Sequence, residues 1–466
     1  MKRCAGCKKT NCDGCRLNPG EKLVTVKEKA SFFPEAFKAK EQPGFGIAFD
    51  IGTTTVAAVL WDLEKKAQLA AESCVNPQRI AGSDVISRIT YSRKSEGNRK
   101  RLQKLIVEKM DELARKLCMQ TEEKGEVLVR KAVAVGNTAM CESLLGFSME
   151  GLWAAPFCKD YKGSMKKTGK EIGCSFLKDT QITVLPCIGG YVGADALAVY
   201  TYVKNVEKRK QVLAVDIGTN GEILLLGEKD SYACSAAAGP ALEGAAVSSG
   251  MAAAAGAIEE VTLLGNFPRQ DIHCKVIGGG NPKGICGSGL IDALKVLRRL
   301  KVIDGTGYLL SAREAGKEGI PIQICRRLVT QEGENRILLT DKEHPIYLTA
   351  GDIRQLQLAK SAIRSGIEIL LEKEGIEANE LSHIYLAGAF GSHIKIESAV
   401  AIGLLPDISH EKITYTGNCA GTGAAMALLS EDVIEEMEKD AEEIRHIELA
   451  DEKAFEEHFL TYMGLH

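Results

Sequence analysis

Apolar and polar positions follow one design in two separate stretches of the chain. "GIAFDIG" (46–52) and "TVAAVLWDL" (55–63) are apolar runs joined by a tight Gly-Thr turn, the pattern of a β-hairpin. The plan returns at 212–226 as "VLAVDIGTNGEILLL", with Asp216 following Asp50 by 166 residues. Between the copies, Leu102, Leu105, Ile106, Met110, Leu113 and Leu117 recur at helical spacing and predict an amphipathic helix over 99–119. "KAVAVGNTAMCESLLG" (131–146) predicts a strand, a Gly136-Asn137-Thr138 turn and a helix. A basic linker at 203–210 precedes the second copy. Beyond it, 284–300 predicts a glycine-rich loop opening a helix. A further helix is predicted over 352–374, capped by Asp352 and stopped at Gly375. "HIYLAGAFG" (383–391) predicts a strand running into a glycine turn, and 413–430 repeats that plan before a helix. The acidic stretch 431–444 predicts a solvated helix face. A duplication of this length exceeds a solenoid repeat and predicts an α/β chain of two lobes.

The ends read differently. Residues 1–20 hold four cysteines and almost no apolar side chains, so they cannot form a core without something to clamp them. Residues 21–43 are rich in lysine and glutamate and are broken by Pro34 and Pro43, which predicts a linker. The division is a four-Cys metal motif (1–20), a linker (21–43), a first lobe (44–205) and a second lobe (206–466).

Composition narrows the function. Hydrophobic residues are 45% and charged residues 26% of 466, as in an ordinary globular protein. A net charge of -3 gives no electrostatic case for nucleic acid or an anionic membrane. The start lacks an apolar stretch like a signal peptide, and the longest apolar runs are too short to span a bilayer, so the expected place is the cytoplasm. Eleven of the 15 cysteines are scattered singly, as small buried hydrophobes are.

The two turns carry the candidate chemistry. Phosphate binding needs close backbone approach and N–H or hydroxyl donors aimed at oxygen. Gly52 with Thr53, Thr54 and Thr55, and Gly218 with Thr219, Asn220 and Gly221, supply both. Asp50 and Asp216, at the strand ends, suit Mg²⁺, which takes one or two carboxylates and shares its other positions with water and phosphate. Glu222 is placed either to orient an attacking water or to sit as a paired strand-end carboxylate. Ser288 begins the helix after "GICG", whose free N–H groups can meet a phosphate or ribose oxygen or simply form a packing turn. Cys4, Cys7, Cys12 and Cys15 have C-x2-C-x4-C-x2-C spacing, which fits one iron–sulfur cluster, of the 4Fe–4S kind, or one zinc ion.

The two "DIGT" hairpins, the "GNT" junction, "LAGAFG" and "GNCAGTGAA" resemble the phosphate-1, phosphate-2, connect and adenosine segments of the actin, sugar-kinase and heat-shock-chaperone ATPase superfamily. Within it, "NPQRIAGSDVISRI" (76–89), "AVGNTAMCESLLG" (134–146), "PCIGGYVGADALA" (186–198), "GICGSGLIDAL" (284–294) and "LAGAFGSHIKIESAVAIGLLP" (386–406) resemble the reductive activators of corrinoid proteins, over roughly residues 44–430. The resemblance implies two ribonuclease-H-like lobes with ATP bound and hydrolysed in the cleft between them. It implies return of a cob(II) corrinoid on a partner methyltransferase protein to cob(I), through an iron–sulfur centre fed by a low-potential electron donor. A homodimer is compatible with it. By position, Asp50, Thr53, Thr54 and Thr55 face the phosphates from one lobe and Asp216, Gly218, Thr219 and Asn220 from the other, with Gly388 and Gly391 against the adenosine. One departure stands out: some relatives carry a full ferredoxin domain or a C-terminal pair of clusters, whereas this sequence has only the four-cysteine motif. Two alternatives share the superfamily. A small-molecule kinase needs a catalytic aspartate in lobe one, for which Asp84 and Asp195 are the candidates. An activator of another low-potential enzyme has paired cysteines near helix starts; Cys187 and Cys286 stand near such starts, but their spacing does not match that pattern.

Overall fold

A computed structural model describes residues 37, 42–121, 128–388 and 394–465. Cys4, Cys7, Cys12, Cys15 and Gly391 lie outside the described residues, as does nearly all of the expected linker.

The first sheet contains β1 (Phe45–Ile51), β2 (Thr55–Asp62), β3 (Ala67–Val75), β4 (Val129–Gly136), β5 (Met165–Thr168) and β6 (Gln181–Val184), in the order β3-β2-β1-β4-β6-β5. The second sheet begins with β7 (Val212–Ile217), β8 (Gly221–Leu226) and β9 (Ser231–Ala236). Between β9 and the rest of that sheet lie two three-stranded sheets, β10 (Ala257–Leu264) with β11 (Asp271–Val276) and β12 (Gly284–Ile285), and β13 (Leu328–Gln331) with β14 (Glu334–Leu338) and β15 (Tyr347–Thr349). β16 (His383–Ala387), β17 (Ile413–Gly417) and β18 (Arg445–His446) complete the second sheet, ordered β17-β16-β7-β8-β9-β18. In each large sheet three antiparallel strands are followed by two parallel ones. β1 pairs antiparallel with β2 and parallel with β4, and β7 pairs antiparallel with β8 and parallel with β16. The repeated hairpin therefore belongs to a repeated sheet.

Side chains alternate between faces along each strand. Leu213, Val215, Ile217, Ile223 and Leu225 enter one apolar core, while Val212, Ala214, Leu224 and Leu226 of the same strands enter the other. Against that second face lies helix Ala194–Val206, packed on helix Cys419–Leu429. The small residues of "CAGTGAAMA" let the two helices close tightly: a Cβ on Gly423 would sit 2.1 Å from the Ala198 carbonyl oxygen.

Several expectations meet a different structure. The helix expected from Asp352 starts at Ala350, because Thr349 caps it and Asp352 returns the bond as the third residue of a capping box. Much of the expected linker at 203–210 is the last turn of helix Ala194–Val206. The acidic 431–444 stretch is not wholly solvated: helix Glu431–Glu443 buries Val433, Ile434, Met437 and Ala441. With helix Cys419–Leu429 it packs in the core of the first sheet, so 206–466 does not occupy one side of the molecule. Among the described residues no helix is long and apolar enough to cross a membrane.

Candidate nucleotide-binding site

The first turn is Gly52, Thr53 and Thr54, and its three carbonyls are held from behind. The Asn76 side-chain amide donates to Gly52 O at 2.8 Å, and its backbone N–H donates to Thr54 O at 2.8 Å. Arg88 Nη2 donates to Thr53 O at 2.6 Å. Arg88 is 1% exposed, and burial pulls its guanidinium down to about 10, so it stays charged at neutral pH. Asn137, the N-cap of helix Thr138–Leu145, accepts from Met140 N–H and donates its amide to Thr53 Oγ1 at 2.9 Å. With its carbonyls spent inward, the turn has N–H groups and the Thr53 hydroxyl proton left for an anion.

The second turn, Gly218 to Asn220, is closed by a 2.9 Å bond from Gly218 N–H to Asn220 O. Gly221 has no room for a side chain, since a Cβ would meet Ile363 of the long helix Ala350–Glu374 at 2.7 Å.

Four carboxylates share the space by these turns. Asp50 lies opposite Val135 in β4, and Asp216 opposite Ala387 in β16 and Glu222 in β8. Asp195 opens helix Ala194–Val206 and accepts from Ala196 N–H at 2.8 Å. Burial pushes the Asp50 carboxyl up to about 6, partly offset by a hydrogen bond from the Asn418 side chain. Burial and the Asp50 charge push Asp216 up to about 7. Burial, then the charges of Asp50 and Asp216, holds Asp195 well above the carboxylate range. Burial, then Asp195 and Asp216, does the same to Glu222, whose Oε1 accepts from Ser235 Oγ at 3.5 Å. This is a site that gains by taking up positive charge. Among the described residues no three Cys, His, Asp or Glu side chains form a closed metal cage. The donor set instead suits Mg²⁺ completed by water and phosphate.

Gly388 follows β16 with φ +87°, and a Cβ there would lie 2.4 Å from Asp216 Oδ1. Glu243, in the segment after β9, accepts from Thr54 Oγ1 at 3.1 Å and from Thr219 Oγ1 at 3.0 Å, so one carboxylate touches both turns. A pocket of about 260 Å³ lies beside the second turn, lined by Asp84, Phe157, Tyr191, Asn220, Ser235 and His446.

The structure brings Asp50, Asp195, Asp216 and Glu222 together with both turns and Gly388. It keeps Ser288 apart in its chemistry: the hydroxyl is buried and donates to Glu259 O at 2.9 Å. Asp84 caps helix Val85–Arg93 through Ser87 N–H at 2.8 Å. Cys187 is buried beside Tyr161 in the first core, whereas Cys286 lies against Ile258 O of the second, so they form no pair. Sequence reasoning missed Asn76, Arg88, Asn137, Glu243 and Asn418. The asparagines stand immediately before helices, a readable cap signal, but their reach to a distant strand end is not.

Two like sheets, each delivering a Gly-Thr turn and a strand-end carboxylate to one place, define a nucleotide-binding α/β protein of the actin and sugar-kinase kind. Residues 45–208 match the family model described as the RACo middle region, and 210–466 that described as the C-terminal domain of RACo, the ASKHA domain. The chain belongs to this family. The corrinoid activation enzyme RamQ of Eubacterium limosum is 35% identical over 447 residues, covering 95% of this chain and 73% of that protein. The Co(II) methylated amine-specific corrinoid protein reductase of Methanosarcina barkeri is 25% identical over 449 residues, 90% of this chain and 77% of that one. A solved reductive activator for corrinoid, iron-sulfur protein superposes with a TM-score of 0.78 at 32% identity, covering 92% of this chain and 67% of its own.

Proposed function

We propose that this protein is an ATP-dependent reductive activator that returns a cob(II) corrinoid on a partner methyltransferase protein to cob(I), in the cytoplasm. The observation that carries the reading is the meeting of two Gly-Thr turns, from two like sheets, at one cluster of charge-starved carboxylates. Membership of the family supports it.

In this reading the two large sheets are the centres of ribonuclease-H-like lobes, and ATP lies between them. Gly52, Thr53, Thr54 and Thr55 take phosphate oxygens from one side, and Gly218, Thr219, Asn220 and Gly221 from the other. Asp50 and Asp216 hold Mg²⁺ through water, and their raised proton affinities support that fit, because a dication relieves the repulsion behind them. Bound Mg²⁺ supplies the charge that lets phosphates and carboxylates share one site. Glu222 orients the attacking water, and Gly388 borders the adenosine. The nucleotide must bind two lobe arrangements with different affinity if hydrolysis is to drive motion. The tightly packed helices Ala194–Val206 and Cys419–Leu429 are the natural pivot.

Four thiolates, Cys4, Cys7, Cys12 and Cys15, have the chemistry to hold an iron–sulfur cluster, with zinc as the alternative occupant. Such a cluster supplies one low-potential electron at a time, the single electron by which cob(II) differs from cob(I); a low-potential donor replaces it. Two proteins are thus implied as partners, the corrinoid protein and that donor, and self-association into a homodimer is compatible with the reading.

The test mixes the anaerobic protein with a cob(II)-loaded corrinoid partner, a low-potential reductant and Mg·ATP, and follows the corrin's visible absorption. An ATP-dependent conversion to the cob(I) spectrum is expected, and its absence with every corrinoid partner tried rejects the reading.

A further inference from the structure

Glu243 takes hydrogen bonds from one threonine of each turn, at 3.1 Å from Thr54 and 3.0 Å from Thr219. A hydroxyl has one proton to donate. Neither threonine can therefore give its proton to Glu243 and to a phosphate oxygen at once. The carboxylate also lies against the second turn's glycine, with Oε1 3.7 Å from where a Gly218 Cβ would be. A negative group held there resembles a phosphate oxygen in charge, in acceptor chemistry and in the donors it uses.

Glu243 belongs to an irregular segment, 237–256, between β9 and β10. The segment folds on itself: Pro240 O accepts from Glu243 N–H at 3.1 Å and from Ala245 N–H at 3.0 Å. Gly244 has φ +78°, with the Met251 carbonyl 2.2 Å from a would-be Cβ. Its far part is tied to the start of the long helix, where Ser248 N–H donates to Asp352 Oδ1 at 2.7 Å. Ala241, Leu242 and Val247 are buried in the second core and Met251 N–H donates to Ile285 O at 2.9 Å, so the segment is anchored on both sides of an exposed turn at Ala245 and Ala246.

We propose that Glu243 is a built-in occupant of the terminal-phosphate position, a carboxylate that ties the two turns together and is expelled, with the exposed turn at 243–246, when the nucleotide's phosphate takes the Thr54 and Thr219 hydroxyls. Glu243 is a positioning residue: it sets the affinity of the site and converts phosphate arrival into release of the exposed turn at 243–246. The inference rests on the nucleotide reading above and adds a residue and a consequence to it.

Calorimetric titration of the full chain with a non-hydrolysable ATP analogue and Mg²⁺ tests it, using wild type, E243Q and E243A, with amide hydrogen exchange across 237–256 as a second readout. Removal of the competing charge should tighten binding roughly tenfold, the size of one lost charge-assisted contact. Exchange in 243–246 should speed up on adding the analogue to wild type, and should already be fast in E243Q without it. A merely structural Glu243 would weaken binding when replaced. Wild type that binds no analogue removes the site and this inference with it. Wild type that binds, with E243Q equal or weaker and exchange unaltered by the analogue, overturns the role of Glu243 alone.

Discussion

Asp50 and Asp216 sit where their charge is least welcome, and this sets their pH behaviour. Both folded carboxyls have proton affinities above the ordinary 3.8, at about 6 and about 7. The folded protein therefore holds protons that the unfolded chain has released, and stability without Mg²⁺ falls as pH rises from 3.8 towards 7. Mg·nucleotide affinity should run the opposite way, rising through pH 6 to 7 as both carboxyls ionise; a flat profile in calorimetric titrations would contradict the metal role. Asp216→Asn should abolish Mg·ATP binding while raising thermal stability at pH 8 by about 1 kcal/mol, the usual exchange of function for stability at a charged site. Differential scanning fluorimetry with and without Mg·ATP reads both effects. Arg88→Met should cost about 1–3 kcal/mol, because the Thr53 carbonyl loses its charged donor, and should weaken nucleotide binding through the loosened turn. A chemical-denaturation curve alongside the titration separates the two losses.

At the scale of elements, period-two patterning made both hairpins legible, whereas the three asparagines that cap helices went unread. Pairing across long separations was not legible. Nothing local to "GNCAGTGAA" says that Asn418 reaches Asp50, or that Asn76 reaches back to Gly52. Glu243 lies in a glycine- and alanine-rich stretch with no period, so no local pattern singles it out. The acidic 431–444 stretch misled for a related reason: its charges are real, but Val433, Ile434 and Met437 share one helical face and are buried. Composition also hid the function of Gly423 in helix Cys419–Leu429, which is close approach to helix Ala194–Val206. Gly423→Val should force those helices apart and cost about 1–3 kcal/mol, the range of overpacked cores, seen as a lowered thermal midpoint. If the helix pair is the pivot, steady-state ATPase of that variant should fall further than its nucleotide affinity.

For the whole molecule, the proposed function divides labour between a nucleotide engine and four cysteines, Cys4, Cys7, Cys12 and Cys15, proposed to carry a metal. Replacing Cys4, Cys7, Cys12 and Cys15 by serine should leave Mg·ATP binding intact and abolish ATP-dependent corrin reduction. Iron with acid-labile sulfide in the anaerobically purified protein is the matching expectation, and stoichiometric zinc would leave the chain without its own electron carrier. The engine is prior to all of this, because it requires that two halves of one chain grip a single nucleotide. The most direct measurement is a calorimetric titration of Mg·ADP into wild type and into the single variants Asp50→Asn and Asp216→Asn. One nucleotide should bind per chain, with affinity lost when either half's carboxylate is removed. Undetectable binding in wild type, or binding that survives both substitutions, would contradict it.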